Sequence, residues 1–196
     1  YMATIGNTDA RFGFRPIRML DSSPWNGACI RCHMPASYGT ATFIGDAVVP
    51  TGTATGSSNQ LAVMEVNEAG TNDALLGAVL AYEPDASDPT LQYRKASTAR
   101  YCLVSPGLNV MYIAQAEGII AVADIANNVD IIVTHDGSTT TGLSGHEADQ
   151  TTAGAAAQLQ LMALHDHGDQ PSFSDTFPIV EVRVNEQELG SDSAGT

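Results

Sequence analysis

Two thiols and an imidazole stand together at Cys29-Ile-Arg-Cys32-His33. This is the CxxCH spacing in which two cysteines add to haem vinyl groups and the adjacent histidine becomes an axial ligand. The same thiolates could serve zinc, which needs four ligands. Neither chemistry is expected here. The flanking residues favour a strand over a haem-wrapping helix, no third soft ligand is near, and the odd separation of the cysteines sends them to opposite faces of a regular strand. The expectation is a plain strand with no haem, no metal and no obligatory disulfide.

A second cluster, His165-Asp166-His167, places imidazoles two apart. On an extended chain they share a face and could hold a divalent ion. That leaves a structural metal open, while Gly168, Asp169 and Pro171 favour a solvated turn after a strand. His146, Glu147 and Asp149 are read with the same reserve. Gly142-Leu-Ser144-Gly145-His146 lacks the last glycine of the GxSxG nucleophile elbow and its strand-to-helix setting. No P-loop, GxGxxG or HExxH occurs. Among 22 acidic residues no carboxylate pair stands out, so no enzyme activity and no cofactor is expected.

The elements that must carry these residues read as strands. Short runs rich in Val, Ile, Leu, Thr and Tyr are cut by Gly, Pro, Asn and Asp. Strands are predicted near residues 28–34, 42–44, 47–49, 61–66, 75–82, 91–93, 99–104, 110–115, 119–122, 130–134, 159–165 and 177–184. The fold class is all-β, a compact barrel or sandwich. Ala148–Leu164 could be helical, but Thr151, Thr152 and Gly154 weaken that, and the reading is loop then strand. Residues 52–59 and 137–142 read as flexible loops. Leu61, Val63, Val66, Leu76, Val79, Leu103, Val110, Ile113, Ile131, Val133, Leu161, Val180 and Val182 are expected in the core or at a subunit interface.

Charge is distributed unevenly. Four of the eight basic residues, Arg11, Arg15, Arg18 and Arg31, fall within the first thirty-one positions, among Phe12, Phe14, Pro16 and Trp25; residues 101–182 contain no Lys or Arg. The net charge of −14 argues against nucleic acid or an anionic membrane as partner. No apolar run reaches membrane-spanning length, and no basic-then-apolar leader is visible, so synthesis and use without export are expected. Three cysteines in such a chain point to reduced thiols. The predicted organisation is an extended N-terminal arm over residues 1–27, a β body over 28–189 and a polar tail over 190–196. An extended arm from Asp9 to Gly27 would span at most about 60–70 Å.

One resemblance covers most of the chain. The arm Asp9-Ala-Arg-Phe-Gly-Phe-Arg-Pro-Ile-Arg with Ser23-Pro-Trp-Asn-Gly27, the central Arg94-Lys-Ala-Ser-Thr-Ala-Arg-Tyr101, the loop 137–144 and the strand Pro178–Asn185 resemble the decoration, or cement, proteins of tailed-bacteriophage heads. The CxxCH cluster departs from that pattern. The resemblance implies a non-enzymatic virion protein, made in the bacterial host cytoplasm, that binds the outer capsid surface. Its partners would be the major capsid protein and its own copies, as a homotrimer more than a dimer. It would stabilise the mature shell by clamping neighbouring subunits. Arg11, Phe12, Phe14, Arg15, Pro16, Arg18 and Trp25 are then the expected capsid- or protomer-binding residues, and a chain lacking residues 1–27 should fold yet no longer bind. Two other readings stand beside it: a virion-surface receptor or glycan module using residues 51–59 or 137–145, whose loops lack aromatic side chains, and a small metalloprotein centred on CxxCH.

Overall fold

A computed structural model describes residues 8–56, 61–166 and 172–189. The expected all-β architecture is what forms. Among the described residues there are eleven strands and a single 3-10 turn at Val122–Asp124.

Five strands close on themselves as a barrel: β2 (Ile30–Met34), β3 (Ala47–Thr55), β4 (Val63–Glu68), β5 (Gly77–Tyr82) and β6 (Arg100–Pro106). Closure is made by β2, which runs antiparallel to β6 and meets β4 in parallel at His33 and Glu65. The other six form a sheet in the order β1 (Arg15–Met19), β7 (Val110–Gln115), β11 (Ile179–Val184), β10 (Leu159–Leu164), β8 (Asn128–Ile132) and β9 (Glu147–Thr152).

Each unit buries the alternate side chains that its period-2 pattern dictates. The barrel encloses Cys32, Met34, Val48, Val66, Leu76, Val79, Cys102 and Val104. The sheet covers a larger core that includes Val110, Tyr112, Val129, Leu159, Leu161, Val180 and Val182. Ala47 and Ala78 of the barrel, with Leu75 just before β5, belong to this second core as well, so the sheet packs on the barrel there.

The expected arm is extended, but it lies on the chain's own body. Arg15 pairs with Ile113 and Met19 with Val110, and Phe14 is only 3 % exposed within the sheet's core. A boundary at residue 27 therefore falls outside the hydrogen-bonded unit that contains β1. Gly13 explains the close approach. Its φ is +70°, and a Cβ there would stand 2.5 Å from both the Gly45 carbonyl oxygen and the Ser144 Cβ. Phe14 N–H then donates to that Gly45 oxygen at 2.9 Å.

Other expectations change. Thr51–Thr55 continue β3 instead of looping. Residues 91–93 and 119–122 are not strands, and residues 42–44 make only isolated bridges. Leu61 is 93 % exposed and Leu103 36 %, so neither is core. Ile113, Val63 and Val133 are half-buried. The stretch 148–164 contains two strands joined by a loop, and no helix. Residues 1–7, 57–60, 167–171 and 190–196, with the polar tail and His167, lie outside the described residues.

Candidate functional site

Where the barrel meets the sheet, three chemistry-bearing side chains converge. Asp46 immediately precedes β3, Glu68 ends β4, and His146 immediately precedes β9. His146 Nε2 lies 2.8 Å from Glu68 Oε1 and 3.7 Å from Asp46 Oδ1, and both His146 and Asp46 are 1 % exposed. The three donor atoms all lie within 4.8 Å of one another, as a metal site would need.

The hydrogen bonding of the ring argues against a metal. The backbone N–H of Ala47 donates to His146 Nδ1 at 3.2 Å. Nδ1 must therefore present its lone pair, which puts the ring proton on Nε2, directed at Glu68. An ion on Nε2 would move that proton to Nδ1, against the Ala47 N–H. The residues fit a proton-holding lock better than a cation. Tyr38 donates its hydroxyl to Glu68 Oε2 at 3.0 Å, and Phe43 N–H donates to Asp46 Oδ2 at 2.6 Å. Burial pushes the Asp46 carboxyl up to about 6; His146 opposes the shift and Glu68 adds to it. Burial would lower His146, but its hydrogen bond to Glu68 and the charge of Asp46 outweigh that and raise it.

Further histidine–carboxylate pairs follow the same habit. Glu147, fully buried, meets Arg11 Nε at 2.8 Å and His135 Nδ1 at 2.8 Å. Burial raises its pKa against the pull of these two partners. Glu181 takes His165 Nδ1 at 3.0 Å on one oxygen and Arg18 on the other. Burial would raise Glu181, and these two hydrogen bonds leave it lowered. His33 Nδ1 stands 3.3 Å from Glu65.

The two buried arginines of the central stretch serve the backbone. Arg94 donates to the carbonyls of Pro35, Tyr38, Thr40 and Thr98 at 2.7–2.8 Å. Arg100 donates to the carbonyls of Glu83, Tyr93 and Leu91. Each guanidinium fixes irregular loops whose carbonyls would otherwise be buried unpaired.

The residues expected to bind a partner divide into two groups. Arg11, Phe14 and Arg18 are spent within the chain, on Glu147, the core and Glu181. Pro16 sits in β1 opposite Tyr112. Arg15 is exposed and Phe12 half-buried, with the Arg15 guanidinium 4.8 Å above the Phe12 ring, and Trp25 is half-buried against the sheet's core. Trp25 borders a hollow of about 330 Å³ with Met19, Pro24, Ala28, Pro106 and Leu108. Its indole N–H is buried and without a hydrogen-bond partner.

Cys29 is exposed, whereas Cys32 is buried opposite Cys102 in the barrel, so the odd separation does split the two thiols. Burial pushes Cys32 up to about 11 and Cys102 up to about 12, far from a reactive thiolate. In the loop considered for glycan contact Gly142, Ser144 and Gly145 are buried, while Thr139, Thr140 and Thr141 are exposed. No helix among the described residues is long and apolar enough to cross a membrane.

No family model, curated protein or solved structure matches this chain.

The Asp46–Glu68–His146 lock was not legible beforehand. His146 and Glu68 are 78 positions apart, and neither carboxylate stands in a recognisable motif. The one available signal was His146 beside Glu147 in a stretch poor in apolar residues.

Proposed function

We propose that this protein is a non-enzymatic structural component of a phage virion. It attaches to the outer capsid surface, holds neighbouring major capsid protein subunits together, and associates with its own copies. The reading comes from the resemblance of the N-terminal, central and near-terminal stretches to head decoration proteins.

One observation carries it furthest. In a chain of net charge −14, the outward side of residues 8–28 offers a cation on an aromatic ring, Arg15 on Phe12, and, towards the other end of β1, an apolar hollow bordered by Met19 and Trp25. An apolar side chain of a partner entering the hollow would be buried there, and a partner's carboxylate would pair with the exposed Arg15. The body supports the same reading. The buried carboxylates named above are engaged by histidine, arginine or backbone N–H groups, which leaves the surface to do the work. A clip that binds only the mature arrangement of several subunits stabilises that arrangement by its binding free energy, and two modest contacts made by one rigid body sum to firm attachment.

The test mixes purified protein with expanded heads that lack it and images the particles. Discrete added density at defined symmetry positions is expected. Trp25→Ala with Arg15→Glu should reduce occupancy at least tenfold at equal concentration, a loss of about 1.4 kcal/mol or more. Absence of density on any expanded head overturns the capsid reading; undiminished decoration by the double variant moves the grip off this surface.

A further inference from the structure

We propose that Cys32 and Cys102 form a reversible disulfide inside the barrel when the chain meets a disulfide oxidant. The inference is independent of the capsid reading.

The CxxCH spacing draws attention to Cys29 with Cys32, but the fold gives Cys32 a different partner. In the antiparallel ladder of β2 and β6, Cys32 stands directly opposite Cys102. Both are fully buried and both belong to the barrel's core, so the two side chains leave the ladder on the same face. Cys29 is exposed, and its thiol donates to the Gly27 carbonyl at 3.1 Å. Burial first, and Cys32 next, hold the Cys102 thiol up, as expected of neighbouring sulfurs.

The ladder also fixes their separation. The Tyr101 carbonyl accepts from the N–H of Glu83, which follows β5, at 2.9 Å. The backbone groups of the next residue, Cys102, therefore turn the other way, to β2. Cys32 and Cys102 are thus a hydrogen-bonded cross-strand pair, whose Cα atoms stand about 5.5 Å apart. A disulfide needs about 4.4–6.8 Å between Cα atoms and about 3.5–4.5 Å between Cβ atoms. The first condition is met; the second requires the two strands to draw together slightly. A bond closed against that pull is readily reduced, which makes the site reversible.

The position of the pair in the chain gives the bond its consequence. β2 is the first barrel strand and β6 the last, and residues 33–101 between the two cysteines carry β3, β4 and β5. A Cys32–Cys102 bond encloses the rest of the barrel in one covalent loop and constrains the unfolded chain over that whole span. The route to the thiols is the seam between β2 and β4, the shortest ladder of the barrel, where only His33 and Glu65 pair. Ile30 and Arg31 of β2 line a hollow there with Val63 and Met64 of β4. Parting of this seam leaves β2 on β6 and admits a reagent to both sulfurs. The chemistry is exchange with a low-molecular-weight disulfide such as oxidised glutathione. One cysteine thiolate attacks it and releases a first glutathione thiol; the other attacks the mixed disulfide and releases the second. Two protein S–H bonds and the glutathione S–S bond are lost, one protein S–S bond and two glutathione S–H bonds form, and two electrons pass to glutathione.

The experiment refolds the full chain from urea in glutathione buffers running from fully reduced to fully oxidised, as wild type and as Cys29→Ser, a change at an exposed position. Refolding gives the oxidant access to both thiols before the barrel closes. Peptide mapping by mass spectrometry is expected to find Cys32 joined to Cys102 in the oxidised buffers, in both proteins, and the link lost where reduced glutathione predominates. The joined protein should melt at least about 4 °C above its reduced form. Cys29→Ser with Cys102→Ala should show neither the link nor the gain. Folded Cys29→Ser protein that keeps two free thiols, or carries two glutathione adducts, in the oxidised buffer overturns the proposal. So does a wild type that joins Cys29 to Cys32 instead, a link that lowers the melting temperature, or one that survives excess reduced glutathione.

Discussion

Truncating Phe14 to alanine tests whether the N-terminal stretch is part of the body. The ring is 3 % exposed and shares the edge of a void of only about 10 Å³ with Ala47, Leu75, Ala78, Tyr112, Leu159 and Val184. So little free space means the neighbours cannot collapse far into the vacated volume, and the change should cost about 3–5 kcal/mol. In a chain of this size each kcal/mol moves the midpoint by about 2–4 °C, so the melting temperature should fall by about 6–20 °C. The half-buried Phe12 is the control, and its truncation should cost no more than about 1 kcal/mol. Differential scanning calorimetry of both variants reads the difference directly. A Phe14→Ala protein that melts within about 2 °C of wild type would refute the reasoning, because the stretch would then not contribute to the folded body. The same logic reverses the expectation for a chain lacking residues 1–27. It would lose Phe14 and β1, strip β7 of its outer neighbour, and unfold at lower temperature instead of surviving as an intact body.

Arg94→Met leaves four loop carbonyls without their donors and should cost about 3–5 kcal/mol, read by urea denaturation; a loss under about 1 kcal/mol would mean water replaces the guanidinium. Asp46 is raised from 3.8 to about 6, so its contribution is full below pH about 4 and lost as pH rises through about 6, a swing of about 3 kcal/mol. Asp46→Asn should flatten the fall in unfolding free energy between those limits, and an unaltered slope would assign the titration to another group. A thiol reagent at neutral pH should label Cys29 quickly and reach Cys32 and Cys102 only on unfolding, so a native protein that reacts at all three positions contradicts the closed barrel.

Most of the strands were legible because their apolar alternation reflects burial on one or two faces. The run Val110–Gln115 matches its strand residue for residue. The two strands that were missed, β1 and β9, are the two edges of the sheet. Edge strands need less apolar patterning and tolerate proline, so Pro16 and the charged Arg15 and Arg18 disguised one, and Glu147-Ala-Asp-Gln-Thr-Thr disguised the other. Leu61 misled for the opposite reason, since an apolar residue just outside a strand carries no guarantee of burial. Of the expected contact residues, Arg15 stays exposed and Phe12 and Trp25 half-buried, whereas Arg11 and Arg18 are consumed by Glu147 and Glu181. Those ion pairs link distant positions, and local sequence carries no mark of them.

The pairing of β1 with β7 also sets an order of events during synthesis. Arg15 must wait for Ile113, and β7 itself is flanked on its other side by β11, which ends at Val184. At about 5–20 residues per second, roughly a hundred residues separate β1 from its partner by about 5–20 s of translation. Throughout that interval the backbone of β1 lacks its only strand partner among the described residues, while Phe14 can already meet Gly45 and Ala47. All five barrel strands are made before β7. The barrel can therefore close first, while the sheet is completed only near the end of the chain. A released chain ending between β6 and β7 should accordingly hold a protease-resistant barrel with a cleavable N-terminal segment.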